Sequence, residues 1–176
     1  MRIEFIAQRG QYADITSVLN GAEHLRTGDL HVVFADNVDP SHTALSALAL
    51  ADPGAPAELG APFDVDAART HGVIVCAGSG VTRTMVRLVE KPDRLTAARL
   101  VGEYGAGALR LLLGRMRLTP HLVVHIAAQA EGASGEPKLS LAVASYAATW
   151  PVQVITASQP MVDLGARTSG GQPVRM

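Results

Sequence analysis

With 176 residues, a net charge of −1 and a pI near 6.6, the chain can bury one domain core and carries no basic footprint for nucleic acid or an anionic membrane. Apolar residues make up 48% but aromatics only 4%, so the core is expected to be built from Ala, Val and Leu in close-packed layers. One cysteine excludes an internal disulfide framework, and no apolar run reaches the roughly 20 residues of a bilayer span.

In chain order, "RIEFIAQ" alternates Ile3, Phe5 and Ala7 with polar neighbours and predicts a short strand. Ile15, Val18, Leu19, Ala22 and Leu25 then follow helical spacing, with Asp14 as cap and Gly28 as stop. "LHVVFADN", residues 30–37, reads as a buried strand ended by Asn37 and the Pro40 turn. Ser41 to Ala51 predicts a helix, and "DPGAPAELGAP" a loop marking an internal junction. "HGVIVCAGSG" and "VTRTMVRLVE" predict a hairpin, and residues 94–116 a helix interrupted near Gly102, Gly105 and Gly107. Strands are expected at 121–129, 138–145 and 152–156, followed by a coil tail. The sum is an α/β fold, a layered mixed sheet with covering helices, over residues 1–157, with a C-terminal tail over 158–176. The two halves share this layout without any repeat at the level of residues. Acidic Glu4 and Asp14 stand where a signal peptide would be apolar, which points to a cytoplasmic protein.

Few residues carry recognisable chemistry. Cys76 sits in an apolar strand and reads as a small buried hydrophobe. His121 and His125, on an extended chain, would lie about 13 Å apart, too far to share a metal, whereas a helix would bring them together. No metal site is therefore expected. Asp64 and Asp66 read as a structural turn, and no GxSxG elbow is present. "AGSGVTR" holds Gly78 and Gly80 as the first two glycines of a phosphate turn, with Arg83 where a third should be.

Three stretches together resemble the ketosynthase branch of the thiolase-fold superfamily. Gln11 leads a helix toward "HLRTG"; "APFDVDAARTHGVIVCAGSG" is similar to that family's PFD segment and glycine hairpin through Pro62, Phe63, Asp64, Asp66, Gly72, Gly78 and Gly80; "GEYGAGALRLLLG" is similar to its glycine-rich helix. Neither catalytic histidine motif is present, and no cysteine lies near position 11. The resemblance implies a thiolase-like partial core and a non-condensing subunit of the chain-length-factor kind, with glutamine in the place of the catalytic cysteine at Gln11, or at Gln8. It implies further that the chain shapes an acyl pocket in polyketide or fatty-acyl elongation, with Gln11, Phe63, Gly78 and Gly80 as pocket or degenerate centre. No catalytic residue and no cofactor follow from it. The implied partners are a catalytic ketosynthase and, through it, an acyl carrier protein, in a hetero-oligomer without nucleic acid or membrane. The alternatives are a small nucleotide- or phosphate-ligand-binding α/β domain using the Gly78–Gly80 turn, and a structural homo-oligomer. A strand over 81–90 paired with 72–77 would count against the turn, and a helix there would favour it.

Overall fold

The computed structural model describes residues 3–24, 28–159, 161–167 and 173–175. Its elements in chain order are α1 (Asp14–Ala22), β1 (Leu30–Val33), β2 (Asn37–Val38), α2 (Ala44–Leu48), β3 (Ala57–Pro62), β4 (Val73–Ala77), β5 (Thr82–Val89) and α3 (Arg94–Tyr104). There follow β6 (Leu109–Leu118), α4 (Pro120–Glu131), α5 (Leu139–Ala147), β7 (Gln153–Thr156), β8 (Val162–Arg167) and β9 (Pro173–Arg175).

The main sheet has the order β1-β6-β3-β7-β5-β4, and β4 also pairs with the N-terminal part of β6. β3 and β7 are parallel, and the remaining pairs are antiparallel. One face buries Ile74, Met85, Met116 and Val154 against Ile15 of α1, Leu122 and Ile126 of α4, and Leu139 and Val143 of α5. The other buries Leu59, Val75, Leu111 and Ile155 against Ala44 and Leu48 of α2 and Ala97 and Leu100 of α3. Helices on both faces of a mixed sheet follow from strands that are apolar on both sides. A smaller sheet, β2-β8-β9, pairs Asn37 with Asp163.

Several expectations from sequence are corrected. Residues 3–8 form no strand and are exposed, with Phe5 98% accessible. Leu25 lies outside the described residues. Within the expected loop, "AELGAP" is β3, buried along nearly its whole length and made of small residues that carry little strand signal. The helix expected over 94–116 stops at Gly105, which takes φ 76°, and the chain re-enters the sheet as β6, its central strand. Because β6 is buried on both faces, its leucines are continuous and imitate helical spacing. Residues 121–129 and 138–145 are the helices α4 and α5 rather than strands. Thr119 accepts from Leu122 N and Pro120 follows it, an N-cap and N1 pair that outweighs the β-branched run behind it. The segment expected as coil contains β8 and β9. The strands predicted at 30–37 and 152–156 appear as the shorter β1, Leu30–Val33, and β7, Gln153–Thr156, and the β4–β5 hairpin is observed.

β6 kinks at Gly114, where φ is 57° and an added Cβ would lie 2.7 Å from Phe34 Cδ2. Gly114→Ala is expected to cost about 2 kcal/mol through overpacking and backbone strain. Urea unfolding checks this, and an unchanged midpoint would refute it.

Candidate functional site

The carboxyl ends of β1 and β5, the start of β4, and the N-termini of α1 and α5 surround a cavity of about 580 Å3. Crevices at strand carboxyl ends are where open α/β sheets bind ligands. β1 delivers Phe34, Asp36 and Asn37. Arg115 fixes that turn: Nη1 donates to Phe34 O at 2.8 Å, and Nη2 donates to Asn37 O. The turn is closed from the other side by Leu164 N, which donates to Asp36 O at 2.8 Å.

β5 delivers Glu90 and Lys91. Glu90 Oε2 accepts from Ser140 Oγ at 3.1 Å and lies against Gly72, where a Cβ would approach it to 3.3 Å. Lys91 holds φ 43°, a left-handed conformation that side chains rarely take, just ahead of Pro92. It makes no salt bridge among the described residues. Strain of this kind tends to persist where a side chain must be aimed. Lys138, at the N-cap of α5, brings a second ammonium group to the cavity. Asp14 Oδ1 accepts from Leu139 N at 3.0 Å and so ties α1 to the start of α5.

Opposite these lies a buried pair. His71 Nε2 is 2.9 Å from Asp163 Oδ2, with the two side chains 6% and 10% exposed. The approach is off the line of a hydrogen bond, so Nε2 has no hydrogen-bond partner despite the distance. His71 Nδ1 is 2.9 Å from Thr70 Oγ1 and 3.0 Å from Ala67 O, which holds the ring with Nε2 toward the carboxylate. Gln8 reaches the cavity from the segment before α1. Its Nε2 donates to Gln11 O at 2.9 Å, and its Oε1 accepts from Ser17 Oγ at 2.8 Å.

None of the four residues singled out from sequence lines this cavity. Gln11 is exposed and precedes α1 by three positions. Phe63 is half-buried, packed on the face that carries α2 and α3. Gly78 and Gly80, at φ 87° and 89°, form the exposed β4–β5 turn. Since β5 is a strand paired with β4, no helix N-terminus stands behind that turn to receive a phosphate. Asp64 Oδ1 accepts from Asp66 N and Ala67 N, both at 2.9 Å, a turn as the sequence suggests. The Cys76 thiol is pushed up to about 11 by burial, with Arg110 and Arg83 opposing, and is therefore a poor nucleophile.

The cavity residues escaped sequence reasoning because they come from seven separate segments. The available signal was local: "FADN" and "VEKPD" each place charge where a strand ends. Another residue was missed altogether. Glu58, the second residue of β3, is 1% exposed, and neither carboxyl oxygen has a hydrogen-bond partner. Burial and then the charge of Glu90 push its carboxyl up to about 8.

The architecture, a mixed α/β sheet with helices on both faces, is similar to that of several solved structures. Among solved structures it superposes on UDP-glucose pyrophosphorylase complexed with UDP-glucose, with a TM-score of 0.70 at 17% identity, covering 90% of this chain and 59% of that one. UDP-glucose pyrophosphorylase from Acinetobacter baumannii matches with a TM-score of 0.69 at 19% identity, covering 92% and 54%. The inositol-1-phosphate CTP transferase from T. maritima gives 0.58 at 11%, covering 82% and 51%. The chain thus spans a little over half the length of these structures. No protein-family model matches the sequence, and no curated protein does. These neighbours overturn the resemblance to thiolase-fold ketosynthases, whose apparent motifs fall on unrelated elements: the "PFD" turn, the β4–β5 hairpin and the α3–β6 junction. With it fall the chain-length-factor role, the ketosynthase and acyl-carrier-protein partners, and the hetero-oligomer built on them. Among the described residues no helix is long and apolar enough to cross a membrane.

Proposed function

We propose that this chain is the ligand-binding part of a nucleotidyltransferase-type protein and that its cavity takes a nucleotide sugar or sugar phosphate. The observation that carries the reading is that two ammonium groups, Lys91 and Lys138, line one cavity together with the carboxylates of Asp14, Asp36, Glu90, Glu136 and Asp163. A sugar nucleotide presents the complementary groups. Its phosphates are anions for the lysines, and its sugar hydroxyls are donors for carboxylate oxygens. The N-termini of α1 and α5 add partial positive charge on the same side. The solved complex of a similar fold with UDP-glucose supports this ligand class over the acyl reading. It retains the nucleotide or phosphate alternative while moving the site from the Gly78–Gly80 turn to the cavity. A cytoplasmic setting belongs to the same proposal, supported by a single cysteine that is buried and unpaired.

Isothermal titration of the full chain with UDP-glucose, UDP, glucose 1-phosphate and glucose tests the reading. Saturable one-to-one binding of at least one phosphorylated ligand is expected, with none for glucose. Should all four fail to bind at millimolar concentration, the reading is wrong.

A further inference from the structure

We propose that α4 and α5 carry a transition-metal site formed by His121 and His125, with Tyr146 setting the orientation of His121. The two histidines are separated by four residues on α4, a single helix from Pro120 to Glu131. That spacing puts their Cβ atoms about 5–6 Å apart on one face. Two imidazole nitrogens bound tetrahedrally to one zinc ion at about 2.0–2.1 Å each stand roughly 3.4 Å from one another, within reach of such a pair.

Three observations go beyond spacing. His121 Nδ1 lies 2.9 Å from the Tyr146 hydroxyl of α5. With the ring hydrogen on Nδ1 donated to that oxygen, Nε2 keeps its lone pair for a cation, the arrangement by which ligating histidines are usually held. His125 Nε2 is buried and has no hydrogen-bond partner, a cost that a shared cation would remove. Both imidazoles also meet the same phenol ring, at centroid distances of 5.5 and 5.4 Å, while Trp150 stands edge-on to His121 at 5.3 Å and walls the site. None of these residues lines the cavity of the proposed function, so the site is independent of it. Among the described residues no three His, Cys, Asp or Glu side chains converge on a metal. The protein therefore supplies two imidazole ligands, and the His125 ring must turn to bring its buried Nε2 to the ion. Imidazole donors suit Zn2+, Ni2+ and Cu2+, with Cu2+ bound most tightly.

The test is titration of the full chain with Zn2+ and Cu2+ alone, in a buffer that does not chelate. One ion per chain is expected, with Cu2+ tighter than Zn2+. His121→Gln, a change at an exposed position, should abolish the titration, and Tyr146→Phe should weaken it by about 10-fold. Backbone amide NMR with substoichiometric Cu2+ gives a readout that needs no variant: broadening should centre on residues 118–128 and 143–150. Retention of full affinity in the His121→Gln variant would overturn the site, as would broadening centred on His24, His31 or His42, or the absence of one-to-one binding below about millimolar metal.

Discussion

Replacing Glu58 with glutamine should stabilise the protein by about 3 kcal/mol at pH 7, and the gain should itself depend on pH. Glu58 pairs with Met116 on one side and Val154 on the other, in the middle of the sheet. Burial, and then the charge of Glu90, raise its carboxyl from an ordinary 4.5 to about 8. Since the folded-state value lies above the unfolded one, the folded protein holds a proton that the unfolded chain releases between those two values. Stability from this group is therefore greatest below about pH 4.5, falls as pH rises through the window, and levels off above about 8. Each unit of separation is worth about 1.4 kcal/mol, which over the interval from 4.5 to 7 gives the 3 kcal/mol above. In a chain of this size that corresponds to a melting-temperature rise of roughly 5–10 °C. Glu58→Met should gain more, because glutamine leaves a buried amide without partners where methionine leaves no polar group. Urea unfolding of both variants beside the parent at pH 5, 7 and 9 measures the difference directly. A difference that stays constant across the three pH values would show that Glu58 is already ionised in the folded state.

That a carboxyl sits unpartnered in the core could not be read from "PAELGAP", because nothing in the seven letters separates a loop from a central strand of small residues. The same ambiguity cost β6. When a strand is buried on both faces its apolar run loses the period of two, and "ALRLLLGRM" fits helix and strand alike until the left-handed Gly105 and Gly114 are known. The β4–β5 hairpin was legible for the opposite reason: β5 exposes Thr84 before buried Met85, and Val86 and Arg87 between Met85 and buried Leu88, and the glycines at 78 and 80 mark its turn. At α4 the threonine and proline that open the helix held the decisive information, and the β-branched run that follows concealed it. Misreading that helix as a strand separated His121 from His125 and removed the metal question along with it. The cavity was less legible still. Asp36, His71, Lys91 and Asp163 are spread over nearly the whole chain and meet only because β2 pairs with β8 while β4 pairs with β5.

Lys91→Ala should weaken binding of a phosphorylated ligand by about 10- to 100-fold, the range of a lost hydrogen bond to a charged group at about 1.5–3 kcal/mol. Lys91→Arg preserves the charge and should retain most of the affinity, and the affinity of the parent chain should fall as salt is raised, because Lys91 is exposed. The backbone gives a second, opposing readout. At φ 43° a lysine pays a conformational cost that glycine avoids, so Lys91→Gly should raise the unfolding free energy by about 1 kcal/mol while losing the same affinity as Lys91→Ala. A residue kept only for structure would not trade stability for binding in this way. Calorimetric titration with UDP-glucose, beside urea unfolding of the three variants, measures both quantities on the same preparations. If Lys91→Gly bound as tightly as the parent, the strained lysine would have no part in holding the ligand, and Lys138 and the two helix N-termini would remain as the groups that meet the phosphates.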